Sequence, residues 1–142
     1  MIAPNNTRLV QQLYDAFNRR DFDIAASVVT DDCELVNMAL GSTFRGKEGV
    51  KQFQQGWATA FPDSKVTITS LMATDDAVTV EYTGRGTHTG PLAGPAGTIP
   101  ATGKSLVLYL CDVHQITNGK ISSSHTYYDA LGLLQQLGLA PA

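Results

Sequence analysis

The sequence is short of three things: net charge, cysteine and long hydrophobic runs. Its 142 residues carry 10 Lys and Arg against 13 Asp and Glu, a formal net charge of −3. The cations are scattered, so there is no basic stripe to neutralise phosphates and nucleic acid is not an expected partner. No apolar stretch approaches the roughly 20 residues a membrane helix needs, and no membrane association is expected. The opening MIAPNNTRLV has neither the basic region nor the apolar run of a secretory leader, which makes the expected location cytoplasmic. The two cysteines, Cys33 and Cys111, each sit inside an apolar strand-like run and read as reduced core thiols. The three histidines have no short ligand spacing, so no metal is expected. No Gly-x-Ser-x-Gly elbow is present to activate a serine. Gly103-Lys104-Ser105 has the form of the end of a phosphate-binding loop, but Thr98 stands where that loop needs glycine. No cofactor is expected, and general acid/base chemistry is what remains.

What the chain does have is a balance of 43% apolar and 16% charged residues, enough for one ordinary domain over residues 1–142. Leu9, Val10, Leu13, Tyr14 and Phe17 recur at helical spacing and predict an amphipathic helix over 7–18. A short helix is expected from Asp23 to Val29, a strand over 33–40, and a longer helix over 47–61, ended by Phe61-Pro62-Asp63. That helix sets Val50, Phe53, Trp57 and Phe61 on one face, where Trp57 can serve both core and ligand. The period then changes to two. Residues 66–70 and 78–83 alternate about Asp75-Asp76 as one hairpin, and 105–128 forms a second about Asn118-Gly119. Between the hairpins, residues 84–103 form a Gly- and Pro-rich connection too long for a turn. A final helix is expected over 130–137. The order predicts an α+β fold with helices on one face of a curved, mostly antiparallel sheet.

A two-residue turn fixes the cross-strand register. Counting outward from Asn118-Gly119 sets His114 opposite Ser123, Asp112 opposite His125, Leu110 opposite Tyr127 and Leu108 opposite Asp129. One face then carries Asp112, His114, His125, Tyr127 and Asp129 beside Leu108 and Leu110, which is the composition of a pocket wall. On the preceding hairpin His88 shares the parity of Val78, Val80 and Tyr82. A carboxyl among leucines and tyrosines has its pKa raised toward neutrality and can accept and return a proton. Asp129 also stands where an aspartate would cap the last helix. The strand over 105–113 is apolar on both sides, with Leu106, Leu108 and Leu110 on one and Val107, Tyr109, Cys111 and Val113 on the other. A second subunit covering the outer side, in a homodimer, is the expected solution.

The run Gly86-Thr87-His88-Thr89-Gly90-Pro91, Pro100-Ala101-Thr102-Gly103-Lys104, Asp112-Val113, Asn118-Gly119-Lys120-Ile121 and Tyr127-Tyr128-Asp129 followed by Leu133-Leu134-Gln135-Gln136-Leu137-Gly138-Leu139 resemble the SnoaL-like polyketide (ester) cyclases over nearly the whole chain. The resemblance implies the cone-shaped fold of the nuclear-transport-factor-two-like (cystatin-like) group. It also implies a cofactor-free intramolecular aldol condensation of an apolar polyketide ester. By the same resemblance Asp129 is the general acid/base, His114 a second pocket histidine, Asn37 a polar pocket residue on the first strand, and His88 part of a Thr-His-Thr motif. Ser122-Ser123-Ser124-His125 departs from relatives that carry acidic residues and a Trp there. Two other readings use the same pocket. One is a module that binds an apolar small molecule without changing it, and the other an isomerase or dehydratase with the same acid/base group.

Overall fold

The computed structural model describes residues 2–141. Its first helix, α1 (Ile2–Arg19), starts earlier than the periodicity suggests. Pro4 is tolerated because the amides of a first turn have no intrahelical partner to lose. Of the expected stripe Val10, Leu13, Tyr14 and Phe17 are buried and Leu9 is half-buried, and Asn6 adds an anchor by donating to the carbonyls of Thr74 and Asp75. A second helix, α2 (Phe22–Ser27), is capped by Asp21, whose carboxylate accepts from the Ile24 amide at 3.2 Å; Asp23, the expected cap, lies inside it.

The strands β1 (Val29–Asn37) and β2 (Ser42–Arg45) form a hairpin before α3 (Gly46–Ala60). β2 is not evident in the sequence, because four residues flanked by glycines carry too little alternation. After α3 come β3 (Lys65–Ala73) and β4 (Ala77–Thr87), the small pair β5 (Leu92–Gly94) and β6 (Gly97–Ile99), then β7 (Ser105–Thr117) and β8 (Lys120–Tyr127), and the closing helix α4 (Ala130–Gln136). The main sheet has the order β2-β1-β8-β7-β4-β3, with β1 parallel to β8 and every other neighbour antiparallel. The helices α1 and α3 cover its inner face, where Val10, Leu13, Val50, Val78, Val80 and Leu108 belong to one buried cluster. No helix among the described residues is long and apolar enough to cross a membrane.

Two features of the backbone position the site. At the β7–β8 turn Asn118 and Gly119 both have positive φ, 51° and 76°, as a type I′ turn requires. Thr117 pairs with Lys120 and Ile116 with Ile121, but Gln115 then pairs with Ser123, so Ser122 is left without a cross-strand partner. Its hydroxyl instead bonds the Gln115 carbonyl and the Thr117 hydroxyl. This β-bulge shifts the rest of β8 by one residue, and a shift of one exchanges the two faces of a strand.

The second feature is the 84–103 connection. Much of it is ordered: β4 runs on to Thr87, the His88 amide donates to the Lys104 carbonyl, and Gly103 donates to His88. Gly90 donates to the Ala60 carbonyl at the end of α3 and lies so close to the Thr59 carbonyl that a Cβ there would overlap it. Only glycine permits that approach. We expect Gly90→Ala to destabilise the protein by roughly 1–3 kcal/mol through local overpacking. Urea unfolding would check this, and an unchanged midpoint would show that the strap does not hold.

Candidate active site

A cavity of about 830 Å3, its open mouth included, lies between the inner face of the sheet and the helices. Leu13 and Phe17 of α1, Val50, Phe53 and Trp57 of α3, and Leu106, Leu108 and Leu110 of β7 make its walls apolar. The α3 side is an aromatic row: Phe53 meets Trp57 edge-on at 6.5 Å, and Trp57 stacks on Phe61 at 5.9 Å. Set into these walls is a compact polar cluster of Tyr14, Tyr82, Asp112, His114, Ser124 and Thr126.

Each member is delivered by a local rule. The stripe of α1 that buries Val10 and Phe17 also carries Tyr14 inward. Alternation along β4 carries Tyr82 inward with Val78 and Val80, and alternation along β7 carries Asp112 and His114 inward with Leu108 and Leu110. On β8 the bulge brings Ser124 opposite His114 and Thr126 opposite Asp112. Cross-strand partners share a face, so these two hydroxyls line the cavity.

Asp112 is buried, 5% exposed, and among the described residues no Lys or Arg pairs with it. Its Oδ2 accepts from the Tyr14 hydroxyl at 2.6 Å and its Oδ1 from the Tyr82 hydroxyl at 3.0 Å. Desolvation raises its pKa from 3.8 to about 6, against the opposing pull of hydrogen bonds from Tyr14, Thr126 and Tyr82. Burial, reinforced by the neighbouring carboxylate, pushes both tyrosines well above the usual phenol range, so they stay protonated donors. His114 Nε2 lies 2.7 Å from the Tyr14 oxygen and Nδ1 lies 2.6 Å from Ser124 Oγ. Its pKa is lowered by burial to about 4, so the imidazole is neutral near pH 7.

The proton count along this chain fixes its polarity. Tyr14 has one hydroxyl proton and gives it to ionised Asp112, so Nε2 of His114 must carry the hydrogen that Tyr14 accepts. Nδ1 then accepts from Ser124. When Asp112 is protonated it can donate to Tyr14 instead, and the phenol can donate to Nε2 once the imidazole hydrogen sits on Nδ1 and faces Ser124. The direct Nε2–Oδ2 separation of 3.8 Å is too long for a hydrogen bond, so Tyr14 links the two.

The sequence-predicted residues separate into three groups. Trp57, Asp112 and His114 line the cavity. Asn37 and His88 are buried close by but do not line it. Asn37 donates to the Tyr128 hydroxyl at 2.9 Å and accepts from the Leu40 amide, closing the β1–β2 turn. His88 lies behind Phe61, ring centres 5.2 Å apart, with Nδ1 held by Thr102. The remaining three require correction. His125 pairs with Val113 and Tyr127 with Cys111, so the bulge sends both to the outer face of the sheet, and Tyr127 is 44% exposed. Asp129 is also exposed and outside the cavity wall, where it caps α4 by accepting from the Gly132 amide at 2.8 Å. Tyr14, Ser124, Thr126 and Gln54 do not stand out in the sequence as site residues. The first looks like ordinary helix core, and the bulge conceals the next two. Among the described residues no three His, Cys, Asp or Glu side chains converge as metal ligands.

The model of the SnoaL-like polyketide cyclases matches residues 7–137. The chain belongs to this family. No curated protein sequence matches it significantly. Among solved structures, a candidate SnoaL-like polyketide cyclase from Jannaschia sp. CCS1 superposes with TM-score 0.86 at 19% identity, covering 99% of this chain and 96% of that one. IdmH of Streptomyces antibioticus, a candidate polyketide cyclase, gives 0.76 at 26% identity, covering 94% and 98%. A Catenulispora acidiphila protein with a ketosteroid isomerase-like fold gives 0.77 at 21%, covering 93% of each chain. The SnoaL-like chain thus has the expected α+β fold, that of the ketosteroid isomerases and nuclear transport factor two, with a mixed sheet.

The two shifted groups oppose each other in stability. Between pH about 4 and 6 the folded state holds a proton on Asp112 that the unfolded chain has released, so this group lowers stability as pH rises. Over pH about 4 to 6.5 the unfolded chain holds a proton on His114 that the folded state lacks, so this group raises stability as pH rises. Each effect is worth about 3 kcal/mol, and in wild type they largely cancel. Relative to wild type, Asp112→Asn should gain stability from pH 4 to 6, and His114→Gln should lose it. Urea titrations at pH 4.5 and 6.5 measure both slopes, and parallel slopes in all three proteins would refute the assignment.

Proposed function

We propose that the cavity is an active site closing a ring in a polyketide, with Asp112 as its proton-transferring group. The observation that carries this reading is a buried carboxyl with a pKa of about 6, among apolar walls, held by two phenols and paired with no Lys or Arg among the described residues. Such a group is charged enough near neutral pH to remove a proton and basic enough to keep it. The role that the family resemblance gives to Asp129 is thereby moved to a residue that lines the cavity.

Asp112 takes a proton from a carbon flanked by carbonyls. The enolate attacks a second carbonyl carbon of the same chain and forms the carbon–carbon bond. The alkoxide so produced takes the proton back from Asp112, and no proton is gained or lost overall. Tyr14 and Tyr82 hold the carboxylate in position, and their hydroxyls are the nearest donors for a developing oxyanion. Neutral His114 holds Tyr14. The aromatic row of α3 and the leucines of β7 hold a flexible substrate in a reactive fold, which removes much of the entropic part of the barrier. Isomerisation uses the same carboxyl and is the second reading, favoured by the ketosteroid isomerase-like neighbour.

The same proposal includes a homodimer. The outer face of β1, β8 and β7 presents Val36, His125, Val113, Cys111, Tyr127 and Tyr109 as neighbours, with Tyr109 75% exposed. Among the described residues Tyr109 and Tyr127 of that patch stay exposed, and a second copy placing its own patch there would bury both.

With a polyketide substrate, Asp112→Asn should lose roughly 100-fold to 10,000-fold in kcat while remaining folded. The wild-type kcat/KM should rise with pH through an apparent pKa near 6. Asp129→Ala should keep its activity and lose about 1 kcal/mol of stability as a lost helix cap. Normal turnover in Asp112→Asn, or abolished turnover in Asp129→Ala, would reverse the assignment. Sedimentation equilibrium should show twice the chain mass for wild type and the single mass for Tyr109→Glu. A wild-type monomer at micromolar concentration would dispose of the dimer.

A further inference from the structure

The polar cluster around Asp112 satisfies its own hydrogen bonds, but the helical wall facing it does not. Gln54 of α3 lines the cavity between Val50, Phe53 and Trp57, is 7% exposed, and donates from Nε2 to the Leu13 carbonyl at 3.2 Å. A carbonyl accepts only, so that contact fixes which end of the amide is nitrogen. Oε1 is then a buried acceptor with no donor among the described residues. Buried polar atoms are nearly always paired, and one left open in a ligand cavity calls for a partner that the protein lacks. Leucine or methionine would fill the same place without that penalty.

We propose that Gln54 is a specificity-determining residue, its Oε1 accepting a hydrogen bond from a phenolic or enolic hydroxyl of the ligand. The neighbouring rings of Phe53, Trp57 and Phe61 suit a flat unsaturated framework, and a hydroxyl on its edge supplies the missing donor. Such a site accepts the hydroxylated compound and rejects its O-methyl ether, which leaves the buried oxygen unpaired. The inference rests on the reading of the cavity as a ligand site and adds the substrate class: ring systems or β-dicarbonyl chains presenting a free hydroxyl on the α3 side.

The test is calorimetric binding of 2-naphthol and 2-methoxynaphthalene to wild type, Gln54→Leu and Asp112→Asn. Wild type should prefer the naphthol by about tenfold or more. Gln54→Leu should lose that preference while binding the ether as well as wild type does, which also shows that its cavity is intact. Asp112→Asn should keep the preference. Equal binding of the two compounds by wild type, or a preference that survives in Gln54→Leu, overturns the role of Gln54 and leaves the cavity as a ligand site. A preference that disappears in Asp112→Asn alone assigns the hydroxyl to the carboxyl and also overturns it. If wild type binds neither compound, the ligand-site reading falls and this inference with it.

Discussion

Burying a carboxyl without a cation is unfavourable unless donors surround it, and that requirement organises the interior of this protein. Asp112 sits near the middle of β7, among leucines, and its donors come from three other elements: Tyr14 from α1, Tyr82 from β4 and Thr126 from β8. The helix α1 is therefore tied to the sheet at its centre as well as by its apolar stripe. Ser124, from β8, closes the chain at His114. The network is satisfied throughout, which is the condition under which a buried polar cluster rigidifies a core. It does not fully offset the cost of burying the charge, and the pKa of the carboxyl stays raised.

The same few contacts join fold and chemistry. Tyr14 is at once a core residue packed edge-on against Tyr82 at 4.9 Å and the link between Asp112 and His114. The apolar walls raise the carboxyl's affinity for a proton by withholding water from its charged form. Membership of the SnoaL-like family gives the fold, whereas the carboxyl that the cavity contains is read from the structure, and it is Asp112.

Much of the architecture is legible in the residues. The helical stripes of α1 and α3, the period-two runs of β3 and β4, and the Asn118-Gly119 turn are strong local signals, and the elements lie where the pattern places them. Along β7 the alternation is enough to set Asp112 and His114 beside Leu108 and Leu110. Along β8 it is not, because counting the register through 122 assumes that every residue pairs. A bulge stabilised by serine hydroxyls leaves no mark in hydrophobic alternation, since Ser122, Ser123 and Ser124 are chemically the same. Such a count accordingly puts His125, Tyr127 and Asp129 on the wrong side. The pairing of Gln54 with Leu13, 41 residues away, depends on how two helices cross, which no local pattern contains.

The bulge at Ser122 also determines how this strand can change over time. One extra residue decides which face of β8 lines the cavity, so a change in length between the turn and Ser124 moves every side chain beyond it, whereas an exchange of one side chain moves none. Loss or gain of one residue between the turn and Ser124 would turn the strand over, bringing an imidazole and a phenol into the cavity and expelling two hydroxyls. Lineages that alter the chemistry of this pocket through a single-residue indel would therefore acquire a new wall in one step, without any substitution at the positions that form it.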